Sequence, residues 1–245
     1  MSFRIEGLEL MMAQAGNLAD GRDIVCVIDK SIANSFIERY HYSLKGRESS
    51  HINYGCYHDG MLCAVVAYAL PTAKDLVSSL PRCLDIEWLE LTRLVRSGSM
   101  DYPLSKVVAI TLRDLARRGN YVVVSYADYA LGHEGYIYQA CNFIYTGRSA
   151  DRRRWVVVGN DVHARHVKRP DSDVKERHVG TGFVEYIGKH RYFYFAVKSK
   201  ALRRRLTKEL KYPQLPYPKG QERNYTINGG KVEWTEINMG RCAPY

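Results

Sequence analysis

The sequence predicts an α/β (α+β) fold, on three observations. YVVVSYAD (121–128) is a near-continuous apolar run, the pattern of a strand at the centre of a sheet covered on both faces. IEWLELTRLVR (86–96) alternates Trp88, Leu89, Leu91, Leu94 and Val95 with polar residues and reads as a second strand. Between them LSKVVAITLRDLARR has helical periodicity, so the pair reads as strand, crossover helix, strand.

The remaining elements follow in order. DKSIANSFIERYHYS (29–43) is a helix that Asp29 or Ser31 can cap, with Ile32, Phe36 and Ile37 as its apolar stripe, ending near His41. NYGCYHDGMLCAVVAYAL (53–70) is a hairpin turning at Asp59-Gly60. A polar loop, SGSMDYP (97–103), leads to Pro103 in the first turn of the crossover helix, which Gly119 closes. After the central strand come a Gly-His-Glu-Gly turn (132–135), a short helix (134–141) and an aromatic strand. Beyond residue 150 the texture changes. WVVV (155–158) is a short strand, and FVEYIGKHRYFYFAV (183–197) reads as two strands joined at Gly188-Lys189. SKALRRRLTKELKY (199–212) is a basic helix whose Leu202, Leu206 and Leu210 face inward. PQLPYPKG (213–220) is extended, because each proline turns its predecessor away from helix, and YTINGGKVEWTEI (225–237) is a last hairpin.

Of the 245 residues 46% are hydrophobic, ample for a core and against wholesale disorder. The longest apolar run, MLCAVVAYAL (61–70), is too short to span a bilayer, and the first residues lack a signal-peptide pattern. A cytoplasmic protein without a membrane partner is expected. Cys26, Cys56, Cys63, Cys83, Cys141 and Cys242 form no C-x-x-C pair, which points away from disulfide frameworks and thiolate zinc sites. The net charge of +10 is not spread evenly. Residues 1–150 hold 15 Lys/Arg against 16 Asp/Glu, whereas residues 151–219 hold 18 against 7. That asymmetry suggests either a polyanion held by one part of the molecule or a solvated basic face.

Several stretches carry a family resemblance: HYS (41–43), LELTRLV (89–95) with its loop and helix, VVSYADYALGHEGYIYQACNFIYTGR (123–148), and KHRYFYF…LKYPQLPYPK (189–219). Together they resemble the Mom-type DNA adenine modification proteins of bacteriophages, a divergent family with the GNAT acyltransferase fold. The resemblance implies a mixed central sheet whose fourth and fifth strands, here 88–95 and 121–127, splay into a cleft. The resemblance runs from about residue 29 to 219; charge and texture divide the chain into an expected core over 1–150 and a basic extension over 151–245 expected to contact DNA. The resemblance further implies an enzyme that adds a carbamoylmethyl group to adenine N6 in double-stranded DNA, shielding phage DNA from host restriction. An ordinary GNAT N-acetyltransferase, using acetyl-CoA on a protein or small amine, is the alternative; it leaves the basic stretch unexplained.

The residues themselves admit these roles without requiring them. Ser125 and Asp128 fall at the end of the central strand, with His133 and Tyr138 on the turn and helix beyond, a set able to surround a reacting group with acid, base and donors. Asp128 reads as a base or as a helix cap, His133 as a base, a ligand or a turn residue, and Tyr138 as a donor or as packing. His41 and Tyr42 end the first helix, where a histidine also suits the helix dipole. Arg93, among apolar neighbours, is expected to pair with Asp128 or Glu90. Arg96, Ser97, Gly98, Ser99, Ser105 and Lys106 occupy the position where a GNAT protein holds the pyrophosphate of acetyl-CoA or a related acyl donor, yet the usual glycine pattern is absent. His41, Asp128 and His133 have the composition of a non-haem iron site. Arg148, Lys189, Arg191, Arg203, Arg204 and Lys208 are the expected DNA contacts. A monomer and a homodimer both remain open.

Overall fold

The structure, a computed structural model, describes residues 16–17, 23–81, 85–97, 103–157, 181–220, 222–228 and 231–237. Strands β1 (Gly16–Asn17) and β2 (Asp23–Val27) precede helix α1 (Lys30–Tyr40). The hairpin β3 (Ser50–His58) and β4 (Met61–Ala69) and a short helix α2 (Lys74–Val77) follow. Strand β5 (Glu87–Arg96), helix α3 (Leu104–Arg118) and strand β6 (Tyr121–Ala127) form the crossover. Then come α4 (Tyr136–Ala140), β7 (Ile144–Arg148), β8 (Arg152–Val157), β9 (Thr181–Tyr186), β10 (His190–Ala196), α5 (Lys200–Glu209), β11 (Glu222–Asn228) and β12 (Lys231–Ile237).

One eight-stranded sheet runs β1-β2-β3-β4-β5-β6-β10-β7, antiparallel throughout except at β5–β6. The β3–β4 turn places Asp59 and Gly60 at φ 47° and 77°, the positive values that a two-residue hairpin turn requires. Helix α3 packs Val107, Val108, Ile110, Leu112 and Leu115 on one face, against Leu89, Leu91 and Val123. The other face is covered twice: α1 sets Ala33, Phe36 and Ile37 on Val65, Ala67 and Val95, and α5 sets Leu206 and Leu210 on Val122, Val124 and Phe193. Strand β6 therefore sends Val123 to one layer and Val122 and Val124 to the other, which is why its sequence is apolar without alternation. Two buried hydroxyl bonds tie α3 to the hairpin, Tyr54 to Asp114 at 2.8 Å and Tyr68 to Thr111 at 2.7 Å.

The fold is the expected α/β arrangement, but the boundary at residue 150 does not follow it. Strand β10 inserts between β6 and β7, so residues beyond 150 complete the central sheet. The two strands expected in 183–197 form but do not pair with each other; β9 pairs with β8, and β10 leaves to pair with β6 over its whole length. The physical reason is β6 itself, whose open edge offers a long apolar partner that β9 cannot match. The hairpin β11–β12 forms as expected. Asp29 stands at the N-cap of α1 but makes no side-chain cap bond there. Gly119 closes α3 through its N–H to Leu115 O, in extended backbone.

Residues 213–220 run extended along β7. Leu215 N–H donates to Tyr145 O at 2.9 Å and the Tyr217 hydroxyl to Phe143 O at 2.8 Å. Gln139 on α4 donates to Pro218 O, and the Tyr136 hydroxyl to Gly220 O. No helix among the described residues is long and apolar enough to cross a membrane.

Candidate active site

The parallel ladder between β5 and β6 ends at Leu91 opposite Ser125. Beyond that rung β5 stays with β4 as far as Arg96, and β6 stays with β10 as far as Ala127. The two strands thus fork. A bulge contributes: Ala67 pairs with Arg93 and Tyr68 with Leu91, leaving Thr92 as the extra residue. Its hydroxyl donates to Ala67 O at 3.2 Å.

Ser125 closes the base of the fork. Fully buried, its hydroxyl donates to Leu91 O at 3.1 Å across the last rung, and it is hydrogen-bonded to the Tyr138 hydroxyl from α4. Burial pushes the Tyr138 phenol up to about 12, so it stays a neutral donor. The turn after β6 needs both its glycines: Gly132 and Gly135 sit at φ 74° and 75°, and a Cβ on Gly135 would lie 2.7 Å from the Tyr192 ring. Asp128 precedes a single 3₁₀ turn without capping it through its side chain. Its carboxylate is instead paired with Lys189 Nζ at 2.6 Å. Beside it, His133 is shifted towards its neutral form by burial, against the opposing pull of Asp128.

The third wall comes from the end of α1. Buried His41 accepts the Ser43 N–H at Nδ1 (3.1 Å), which assigns its proton to Nε2. Burial, Arg93 and the neighbouring His133 hold its pKa down to about 3. A neutral imidazole gains little from a helix C-terminus, so the dipole does not explain its place. The Tyr42 ring meets His133 edge-on at 5.8 Å, and burial raises its phenol, followed by Asp128.

His41, Tyr42, Ser125, Asp128, His133 and Tyr138 therefore gather around one fork. Two further groups join them. Glu90, on β5 one residue before the last rung, is shifted towards its neutral form by burial despite Arg47, the Thr72 backbone, Lys189 and Arg93. Its sequence signal is a carboxylate between Leu89 and Leu91 in a strand. Lys189, expected on the DNA, lies in the cleft instead. Arg93 is held by backbone carbonyls, with Nη1 donating to Thr92 O at 2.9 Å and Nε to Lys45 O at 3.4 Å.

The iron site does not fit this geometry. Among the described residues no three His, Cys, Asp or Glu side chains converge to hold a metal, His41, Asp128 and His133 included. The Asp128 carboxylate answers to Lys189, and His41 Nδ1 to Ser43.

In the expected donor loop, Gly98 and Ser99 lie outside the described residues. The Ser97 N–H and hydroxyl both donate to Cys63 O, and Arg96 is exposed at the end of β5. Ser105 O accepts from the Cys141 thiol at 3.3 Å, tying the start of α3 to the end of α4. Lys106 is exposed on the first turn of α3, which has no side-chain cap. Of the expected DNA contacts, Arg191 is bound to Thr146 twice and lies over the Tyr212 ring at 3.7 Å, inside the fold. Arg203 donates to Val197 O. Arg148 lies over the ring of half-exposed Tyr129, and Arg204 and Lys208 stand exposed on α5.

A family model described as the Mom protein family matches residues 23–219. The chain belongs to the Mom protein family. The matched span of this family member runs from β2 to the end of the extended segment and includes every residue of the fork. No curated protein gives a significant sequence match. Two solved structures are similar at low identity. The ribosomal-protein-S18-alanine N-acetyltransferase from Escherichia coli shares 10% identity over 72% of this chain and 96% of its own, with a TM-score of 0.37. An acetyltransferase from Bacillus subtilis in complex with CoA shares 13% over 79% and 95%, with a TM-score of 0.31.

Proposed function

We propose that this protein is a transferase that modifies adenine N6 in double-stranded DNA, adding a carbamoylmethyl group, and that it serves a bacteriophage by blocking host restriction. The observation that carries the chemistry is the β5–β6 fork, around which a neutral histidine, the Asp128–Lys189 pair and Glu90 gather. Membership of the Mom family supports DNA as the substrate.

Adenine N6 pairs inside the duplex, so the base must leave the stack to reach the fork. Its lone pair is delocalised into the ring, and attack goes with loss of an N6 proton. Glu90 is the better acceptor for that proton. Burial favours its protonated form, whereas Asp128 is already neutralised by Lys189. As the N6–CH₂ bond forms, the N6–H electrons remain on nitrogen, the proton goes to Glu90, and the group leaving the CH₂ takes the bonding pair. Tyr138 and Ser125 tie α4 to the last rung and so hold the base of the fork in shape. Asp128 and Lys189 form the wall that orients His133. The donor must carry its leaving group on the CH₂ that is transferred, because an acyl-CoA thioester is activated at its carbonyl carbon and would acylate N6 instead; a pyrophosphate on that donor would meet the uncapped first turn of α3.

The test is mass spectrometry of nucleosides from the DNA of cells expressing the wild type and Glu90→Gln. Carbamoylmethyl-deoxyadenosine in the first and its loss in the second are expected. Unmodified deoxyadenosine together with acetyl-CoA-dependent acetylation of an amine would establish an ordinary N-acetyltransferase instead.

A further inference from the structure

The connection from α1 to β3 keeps one shape without regular structure. Leu44 adopts a left-handed backbone at φ 49°, which a non-glycine residue holds only where its surroundings impose it. Arg47 N–H donates to Asn34 Oδ1 at 2.8 Å, and Arg93 reaches Lys45 O. Gly46 packs so tightly that a Cβ would lie 2.7 Å from Asn34 Cγ. The bond from Arg93 Nε to Lys45 O ties that guanidinium to the segment that carries Arg47, and both arginines act electrostatically on Glu90.

Charge does not balance at this place. Arg47 and Arg93 lie near enough to repel each other, although burial already disfavours the charge on Arg93. Lys189 is committed to Asp128, which leaves Glu90 to answer the two guanidiniums. Arg47 Nε is buried with no hydrogen-bond partner among the described residues. A buried donor left unmade is unfavourable by about 1–3 kcal/mol, more on a charged group, and an oxyanion would satisfy it. A guanidinium presents Nε–H and an Nη–H side by side, the geometry that grips two oxygens of one phosphate.

We propose that Arg47 and Arg93 form a phosphate-binding site at the mouth of the fork. It rests on the reading of the fork as a nucleotide cleft, and its ligand is a phosphate of the DNA backbone beside the entering adenine or a phosphate of the group donor. Arg47 supplies the bidentate grip, and Arg93, anchored through Thr92 and Lys45, supplies the second charge.

The test uses the full chain as wild type, Arg47→Gln and Arg47→Lys, with an adenine-containing duplex and inorganic pyrophosphate as probes. Duplex affinity is read at several salt concentrations, and pyrophosphate binding by phosphorus NMR. Arg47 meets its loop through the main chain at Asn34, so both variants should fold; thermal unfolding checks this, and the lysine variant is the milder of the two. If the phosphate is that of DNA, Arg47→Gln lowers the slope of log K against log salt by about 0.9, while Arg47→Lys keeps the slope but binds more weakly. If it belongs to the donor, the duplex slope is unchanged and pyrophosphate affinity falls about tenfold or more in Arg47→Gln. Equal slopes with pyrophosphate binding that is equal or absent in both proteins overturn the site. A wild type that ignores duplex DNA but binds pyrophosphate through Arg47 keeps the site and defeats the DNA reading.

Discussion

Removing the Ser125 hydroxyl should unfasten the fork at its last rung. Ser125→Ala withdraws a donor from Leu91 O and an acceptor from the Tyr138 hydroxyl, both at a fully buried position. Both stranded groups are neutral, and a neutral group falls towards the lower end of about 1–3 kcal/mol, so a loss of about 2–4 kcal/mol is expected for the two. Tyr138→Phe removes one end of the same bond and keeps the ring packing on Phe143 and Tyr192, and about 1 kcal/mol should go. In the double variant no hydroxyl is stranded, so its loss should fall short of the sum by about 1 kcal/mol. The assay is equilibrium urea unfolding of the four proteins, with thermal unfolding as a second reading. At about 2–4 °C per kcal/mol for a chain of this size, Ser125→Ala should melt roughly 5–15 °C lower. Additivity within about 0.5 kcal/mol would mean that the hydroxyls do not share a bond, and the derived geometry of the fork would be wrong.

Three further outcomes can be measured. Asp128→Asn should leave stability within about 1 kcal/mol, because its partner Lys189 is half exposed, while abolishing DNA modification; full modification by nucleoside mass spectrometry would remove Asp128 from the site. His41, held down to about 3 from 6.5, contributes stability that is present above about 6.5 and is lost as pH falls towards 3, since the unfolded chain binds the extra proton. Urea unfolding between pH 4 and 7 should therefore show a shallower acid limb in His41→Gln, and an unchanged limb would refute the burial argument. Arg204→Ala/Lys208→Ala should lower the salt slope of duplex binding by about 1.8 and leave stability near wild type, whereas equal slopes would make that face of α5 merely solvated.

Much of this was written locally. Asp59-Gly60 states its own turn, Pro103 and Gly119 bracket α3, and the apolar run of β6 declares that both its faces are covered. The gathering of His41, Ser125 and Tyr138 could be anticipated only through the resemblance, since nothing in their spacing brings α1 to α4. Three features were hidden for a common reason. The partner of Asp128 is Lys189, the neighbours of Glu90 include Arg47, and β10 pairs with β6 rather than with the strand just before it. Each depends on a contact between distant segments. Charge and strand propensity are visible in a sequence, but the side chain that will answer them is not. Arg191 shows the converse, since a basic residue in a basic stretch reads as a phosphate contact until Thr146 and Tyr212 are seen to hold it.

The place of β10 also sets a timetable for the growing chain. β6 is complete at Ala127, but the strand that covers its outer edge ends only at Ala196. At a synthesis rate of about 5–20 residues per second, the apolar β6 edge waits on the ribosome for about 3–14 s. In that interval its N–H and C=O groups can recruit a strand from any nascent neighbour. Slower elongation across residues 128–196 should therefore raise the insoluble fraction, and a holding chaperone that shields strand edges should lower it.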